Sequence, residues 1–236
     1  MEFDGRNVLL TGVGRQGQVG EAVAQAFARR GARLLLVAHH LDQARERADA
    51  LVASGYQATP FAADLTDVSA VASLADDVRT RGDGQLHALV HVAGGFSMSG
   101  SVAESDPAEW TRLFAMNGTT AYLVSRAFVP LLRATRGSLT FFASEAVLPG
   151  ASAKNRAAYV AAKSAVVALV HAVAEEEHTN GVRVNAVAPS TIRTADNVAA
   201  MGEKPAMVSR EAVADAVCWL ASDAARAVSG QVIAVR

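Results

Sequence analysis

Seven short apolar runs recur along the chain, and none alternates apolar with polar residues. They are "NVLLT" at 7–11, "RLLLVA" at 33–38, "ATPFAA" at 58–63, "HALVHVA" at 87–93, "SLTFFAS" at 138–144, "VRVNAVA" at 182–188 and "QVIAV" at 231–235. Strands of this kind have both faces covered. Helical patterns separate them: in "VGEAVAQAFARRG", Val19, Ala22, Val23, Ala26 and Phe27 share one stripe, and Gly31 ends it. Strand and helix in alternation call for right-handed crossovers and a parallel sheet. The predicted fold class is α/β, a doubly wound parallel sheet of about seven strands with helices on both faces. A chain of 236 residues without linker, repeat or low-complexity segment fits one domain over 1–236. Ligands of such sheets bind beyond the carboxyl ends of the strands.

Composition narrows the partners. A formal charge of −1 gives no global attraction to nucleic acid or to an anionic membrane, so neither is expected. No apolar run reaches the roughly 20 residues that cross a bilayer, and no leader precedes the first strand. The single cysteine, Cys218 in "AVADAVCWLA", excludes a disulfide framework and fits a reducing, cytoplasmic location.

The first strand end carries "GVGRQG", Gly12 to Gly17, a literal G-x-G-x-x-G between strand and helix. Glycine lets backbone approach a phosphate, and the helix start supplies free N–H groups. A second feature lies in "AAYVAAKSAVVALV", where Tyr159 and Lys163, four residues apart on a helix, share a face. Ser144 ends the strand before them, and Asn117 lies in the helix before that strand. A free tyrosine has a pKa near 10, so proton exchange near neutrality needs a neighbouring positive charge that favours phenolate. Lys163 can supply it, while Tyr159 and Ser144 can both donate to an oxygen on which charge develops.

From Asn7 to Val235 the chain resembles the short-chain dehydrogenase/reductase family. The resemblance rests on "TGVGRQGQVG", "ADLTD", "HVAGG", Asn117, Ser144, "YVAAK" and "NAVAPSTIRT". It implies a Rossmann-type fold that binds NAD or NADP and moves a hydride between nicotinamide and a carbonyl or alcohol carbon. By position, Tyr159 is the general acid for ketone reduction and Ser144 bonds the substrate oxygen. Lys163 holds the nicotinamide ribose and lowers the Tyr159 pKa, and Asn117 supports a water linked to Lys163. The implied cofactor contacts are Gly12, Gly14, Arg15, Gly17, Val19, His39, Asp64, Leu65, Ala93, Gly94, Tyr159, Lys163, Pro189, Thr191, Ile192 and Thr194. A homo-oligomer, tetramer or dimer, is also implied; the helix carrying Tyr159 has a second apolar set at Ala165, Val166, Leu169 and Val173.

Several positions depart from the family pattern. The glycine segment Thr11 to Gly20 is two residues longer, which leaves open whether Gly14 or Gly17 touches phosphate. The usual Asn-Asn-Ala-Gly reads "HVAG", with His91 and Val92 replacing both amides, so their support is lost. Ser190 follows Pro189 in place of glycine. The second strand ends in Ala38 where NAD-binding relatives carry an acid, followed by His39, and Arg15 can reach the same ribose. NADP(H) is therefore expected in preference to NAD(H). Asp42, close by, weighs the other way.

No metal is expected. His39 and His40, as neighbours on an extended chain, point to opposite faces, and no carboxylate or thiol cluster joins any histidine. The substrate pocket implied by the resemblance offers Phe96, Met98, Val147, Leu148, Met201 and Met207, with Lys154 and Arg156 as cations for an anionic substrate. The leading function is interconversion of a ketone and a secondary alcohol with NADP(H). The alternatives are reduction of a 3-oxoacyl thioester and a non-catalytic NADP(H)-binding regulator.

Overall fold

The computed structural model describes residues 1–236. All seven apolar runs form strands: β1 (Asn7–Thr11), β2 (Arg33–Ala38), β3 (Gln57–Ala62), β4 (Ala88–His91), β5 (Ser138–Phe142), β6 (Arg183–Pro189) and β7 (Val232–Val235). They make one sheet in the order β3-β2-β1-β4-β5-β6-β7, every pair parallel. The helices are α1 (Val19–Arg29), α2 (Leu41–Ala53), α3 (Val68–Arg81), α4 (Pro107–Phe114), α5 (Thr120–Arg133), α6 (Ala157–Glu176), α7 (Ala195–Met201) and α8 (Arg210–Ala221).

Each face of the sheet carries its own core of 28 buried apolar residues, which is why the strands are apolar on both sides. Val23 and Phe27 of α1, Leu51 of α2 and Val217 of α8 belong to one; Val71 of α3, Phe128 of α5 and Val170 of α6 belong to the other. The chain runs outward from β1 to β3, then returns to place β4 beside β1. The loops after β1 and β4 therefore diverge and leave a crevice at the carboxyl edge.

Two expectations change. At 20 residues, α6 is long and apolar enough to cross a bilayer, a length no run was expected to reach. Here it packs on the sheet and carries the buried Lys163. Of its second apolar set, Val166 and Val173 lie in the sheet-facing core, so only Ala165 and Leu169 remain half-buried.

Candidate active site

The crevice holds two adjoining pockets. One, of about 680 Å³, is lined by Val19, Gly94, Ser144, Tyr159, Lys163, Pro189, Thr191 and Ile192 among the expected residues. The other, of about 310 Å³, takes Gly12, Gly14, His39, Asp64, Leu65, Ala93 and Gly94. Close packing within the chain explains two of the glycines. A Cβ on Gly12 would stand 2.5 Å from the Ala93 nitrogen, and one on Gly94 would stand 2.6 Å from Asn117 Oδ1 and 3.2 Å from Lys163 Nζ. Asn117, Lys163 and the "HVAG" loop thus converge on one point.

Asn117 sits in a π-helical turn, Ala115–Thr119, between α4 and α5. Such turns are frequent at functional sites. Its amide nitrogen donates to Leu113 O (2.9 Å) and Gly95 O (3.0 Å), and its Oδ1 accepts from Gly95 N–H (3.2 Å). Lys163, buried on the first half of α6, donates from Nζ to Phe142 O at 2.7 Å, and burial pulls its pKa down to about 8. Ser144 lies two residues beyond β5, and its Oγ accepts from Ala146 N–H (3.2 Å).

Tyr159 departs from expectation. Burial raises its pKa, outweighing a hydrogen bond from Ser144 and the nearby charge of Arg156, both of which lower it. Lys163 is directed to Phe142 O.

The amide support expected to be lost at "HVAG" is replaced at its first position. The buried His91 ring bridges Thr11 Oγ1 (2.8 Å, at Nδ1) and Thr120 Oγ1 (3.2 Å, at Nε2). Since the Thr120 hydroxyl donates to Met116 O (2.8 Å), the network assigns the ring proton to Nε2 and makes Nδ1 the acceptor from Thr11. Burial, with Lys163 nearby, pushes the imidazole down to about 3, so it is neutral. His91 thereby ties the end of β1 to the turn that holds Asn117.

Arg15, Gly17 and Thr194 line neither pocket. Arg15 pairs with Asp196 of α7 at 2.8 Å, both largely exposed. Gly17 has both backbone groups bonded within the chain: its N–H donates to Glu21 Oε2 (2.7 Å) and its carbonyl accepts from Ala195 N–H (3.0 Å). Glu21 is itself held by Arg47 of α2 (2.9 Å) and Arg210 of α8 (3.3 Å). Thr194 caps α7 by accepting from Asn197 N–H. His39 and His40 lie edge to face with ring centroids 4.6 Å apart, not on opposite faces as expected. Of the substrate-pocket set, Phe96, Leu148, Met201 and Arg156 line the larger pocket. Met207 is buried packing, Val147 packs against the core, and Met98 and Lys154 are exposed elsewhere.

Sequence reasoning missed Gln43, Thr66 and Met116 in one pocket and Asn197 and Arg236 in the other. Gln43 and Met116 carry no motif; "ADLTD" contained Thr66, whose hydroxyl and N–H donate to Asp64 Oδ1 (2.6 and 2.9 Å) and lower its pKa. The residues fit a dinucleotide. Gln18 gives the start of α1 no side-chain cap, so its amides stay open to phosphate, and Ser190 Oγ, in a residue lining the larger pocket, is buried without a partner.

The family model described as enoyl-(acyl carrier protein) reductase matches residues 12–236. The chain is 34% identical over 254 residues to 2-(S)-hydroxypropyl-CoM dehydrogenase 3 of Xanthobacter autotrophicus, covering 98% of this chain and 95% of that protein. Among solved structures it matches a short-chain type dehydrogenase/reductase from Mycobacterium ulcerans at TM-score 0.91 and 29% identity, over 100% of this chain and 90% of that one. It also matches a Beutenbergia cavernae protein, assigned provisionally as an NAD(P)-dependent gluconate 5-dehydrogenase and solved with NADP at low occupancy. There the TM-score is 0.87 at 32% identity, over 98% and 95% of the two chains. With Ser144, Tyr159, Lys163 and Asn117 gathered at the strand ends and similarity spanning the whole chain, this protein belongs to the short-chain dehydrogenase/reductase family and is an NAD(P)-dependent oxidoreductase of CH–OH groups.

Proposed function

We propose that the protein interconverts a small ketone and its secondary alcohol with NADP(H), using Tyr159 as general acid and base. The observation that carries this reading is the shared pocket of Ser144, Tyr159 and Lys163, which adjoins the pocket lined by Gly12, Gly14 and Gly94. Gly12, Gly14, Val19, Ala93, Gly94, Pro189, Thr191 and Ile192 would hold the cofactor, which when bound supplies or accepts the hydride. Ser144, its lone pair engaged by Ala146 N–H, donates to the substrate oxygen. Tyr159 donates to the same oxygen, and its raised pKa keeps it protonated for reduction. Lys163, anchored on Phe142 O, keeps two N–H groups for ribose hydroxyls.

The preference for NADP(H) is supported by the end of β2. Ala38 leaves no carboxylate there, His39 and Gln43 line the pocket, and Asp42 lies 3.7 Å from Arg45. The solved relative with NADP bound is consistent with it. The bond of Arg15 to Asp196 favours His39 over Arg15 as the 2′-phosphate contact.

The test combines Tyr159→Phe with the cofactor ratio. Tyr159→Phe should lower turnover of any ketone the wild type reduces by about 10² to 10⁴-fold while NADPH still binds. Retention of more than a tenth of the rate would refute the role, and NADPH binding with no turnover across ketones and 3-oxoacyl thioesters would favour the regulator. A kcat/KM ratio for NADPH over NADH below one would refute the preference; His39→Ala should lower that ratio more than Arg15→Ala.

A further inference from the structure

Four charged side chains line the larger pocket: Lys163, Glu145, Arg156 and Arg236. Lys163 is the buried ribose-side ammonium, and Glu145 is paired with Arg236 at 2.7 Å. Arg156 is left over. It is half-buried at the start of α6, one turn before Tyr159, and its guanidinium donates to Ser152 O of the adjoining loop, with no carboxylate within ion-pair distance. Arg156 is the N-cap residue of α6, three residues before Tyr159, and lines the same pocket as Tyr159 and Ser144. Phe96, edge to face on Tyr159 at 5.0 Å, and Leu148 wall the space between with apolar surface.

We propose that Arg156 is the specificity-determining residue of the pocket and that the substrate is an anionic secondary alcohol or ketone. Its carboxylate, or a comparable oxyanion, sits a few bonds from the carbinol carbon. The proposal rests on the reading of Tyr159 and Ser144 as the oxygen-binding pair. A guanidinium presents two parallel N–H groups to an oxyanion, a geometry lysine lacks. The Arg156 charge already reaches Tyr159, lowering its pKa against the effect of burial. An anion seated on Arg156 offsets that charge and holds the carbonyl between Tyr159 and Ser144.

The experiment uses 4-, 5- and 6-carbon-position oxo acids (4-oxopentanoate, 5-oxohexanoate, 6-oxoheptanoate) and their methyl esters, with wild type, Arg156→Lys and Arg156→Gln. Two readouts are taken: kcat/KM with saturating NADPH, and calorimetric binding of acid and ester to protein loaded with NADP⁺. Wild type should favour at least one acid over its ester by tenfold or more in both readouts. Arg156→Gln should lose tenfold or more on that acid, mainly in KM, with a loss on the ester at least tenfold smaller; Arg156→Lys should fall between. If wild type reduces the esters as well as the acids, or Arg156→Gln weakens both equally, the anion site is refuted while the Tyr159 reading stands. If nothing is reduced, the Tyr159 reading fails for these ketones, and calorimetry alone decides the anion site: acid binding lost in Arg156→Gln supports it, and binding that is absent or unchanged overturns it.

Discussion

Replacing Lys163 by methionine should stabilise the cofactor-free protein while removing its activity. Lys163 is 6% exposed, and burial alone drives its pKa from 10.5 to about 8. At about 1.4 kcal/mol per pH unit, that fall means the folded state bears roughly 3 kcal/mol for keeping a buried ammonium at pH 7. Methionine removes the charge and fills similar volume, but it gives up the bond to Phe142 O, a loss of about 1 kcal/mol. The net gain is about 2 kcal/mol, which for a chain of this length raises Tm by roughly 4–8 °C. The pH dependence has a defined sign. A depressed lysine bears its full cost below the folded pKa of about 8 and is relieved as pH rises from there to about 10.5, so wild type should approach the variant over that window. Differential scanning calorimetry of both proteins without cofactor, at pH 7 and pH 10, measures it. A variant no more stable than wild type at pH 7, or a gap that does not narrow by pH 10, would refute the argument that the site is built at a cost in stability.

Burial holds His91 neutral with a pKa of about 3, so its contribution to stability is complete above about 6.5 and is lost as pH falls towards 3, about 2 kcal/mol by pH 5. His91→Asn should flatten the fall in Tm between pH 7 and pH 5; an unchanged slope would show that His91 does not titrate on unfolding. Asp64, Glu177 and Asp223, held low chiefly by Thr66, Arg133 and Arg6, add acid sensitivity only at lower pH, and His87, lowered by burial, leaves a residual slope. Glu21→Ala should lower stability by about 1–3 kcal/mol, because the 8%-exposed Arg47 side chain then keeps only the exposed Glu46 as a carboxylate partner, whereas Glu21→Leu with Arg47→Leu should recover most of it. Both should weaken NADPH binding in a fluorescence titration, because the Gly17 N–H loses its acceptor in each; binding restored in the double variant would show that only the ion pair matters.

The strands were legible because burial on both faces leaves a simple mark, an unbroken apolar run, and all seven appear where that mark stands. Ser144, Tyr159 and Lys163 were legible because strand end and helix period place them without reference to distant contacts. His91 shows where such reading stops. As a substitution in a motif it reads as lost support, and only the meeting of Thr11 from β1 with Thr120 from α5 shows an imidazole bridging both. The Tyr159 pKa is similar. Its sign is set by burial in the folded pocket, which the local spacing of Tyr159 and Lys163 does not show.

The lengthened glycine segment carries the same lesson to the cofactor loop. Sequence leaves Gly14 and Gly17 equivalent, since either could bring an amide to phosphate. In the fold, Gly17 is fastened at both ends of its residue, by Glu21 on its nitrogen and by Ala195 on its oxygen, and Arg15 reaches Asp196 beside it. In the folded chain the Gly17 amide is thus engaged by Glu21 and holds the segment in place. The two extra residues therefore act as a strap from the loop to α7, while Gly14 stays on the pocket wall and Val19 opens α1 without a side-chain cap. Glu21 secures the Gly17 end of that strap, and its own anchors, Arg47 and Arg210, lie on the two helices flanking α1.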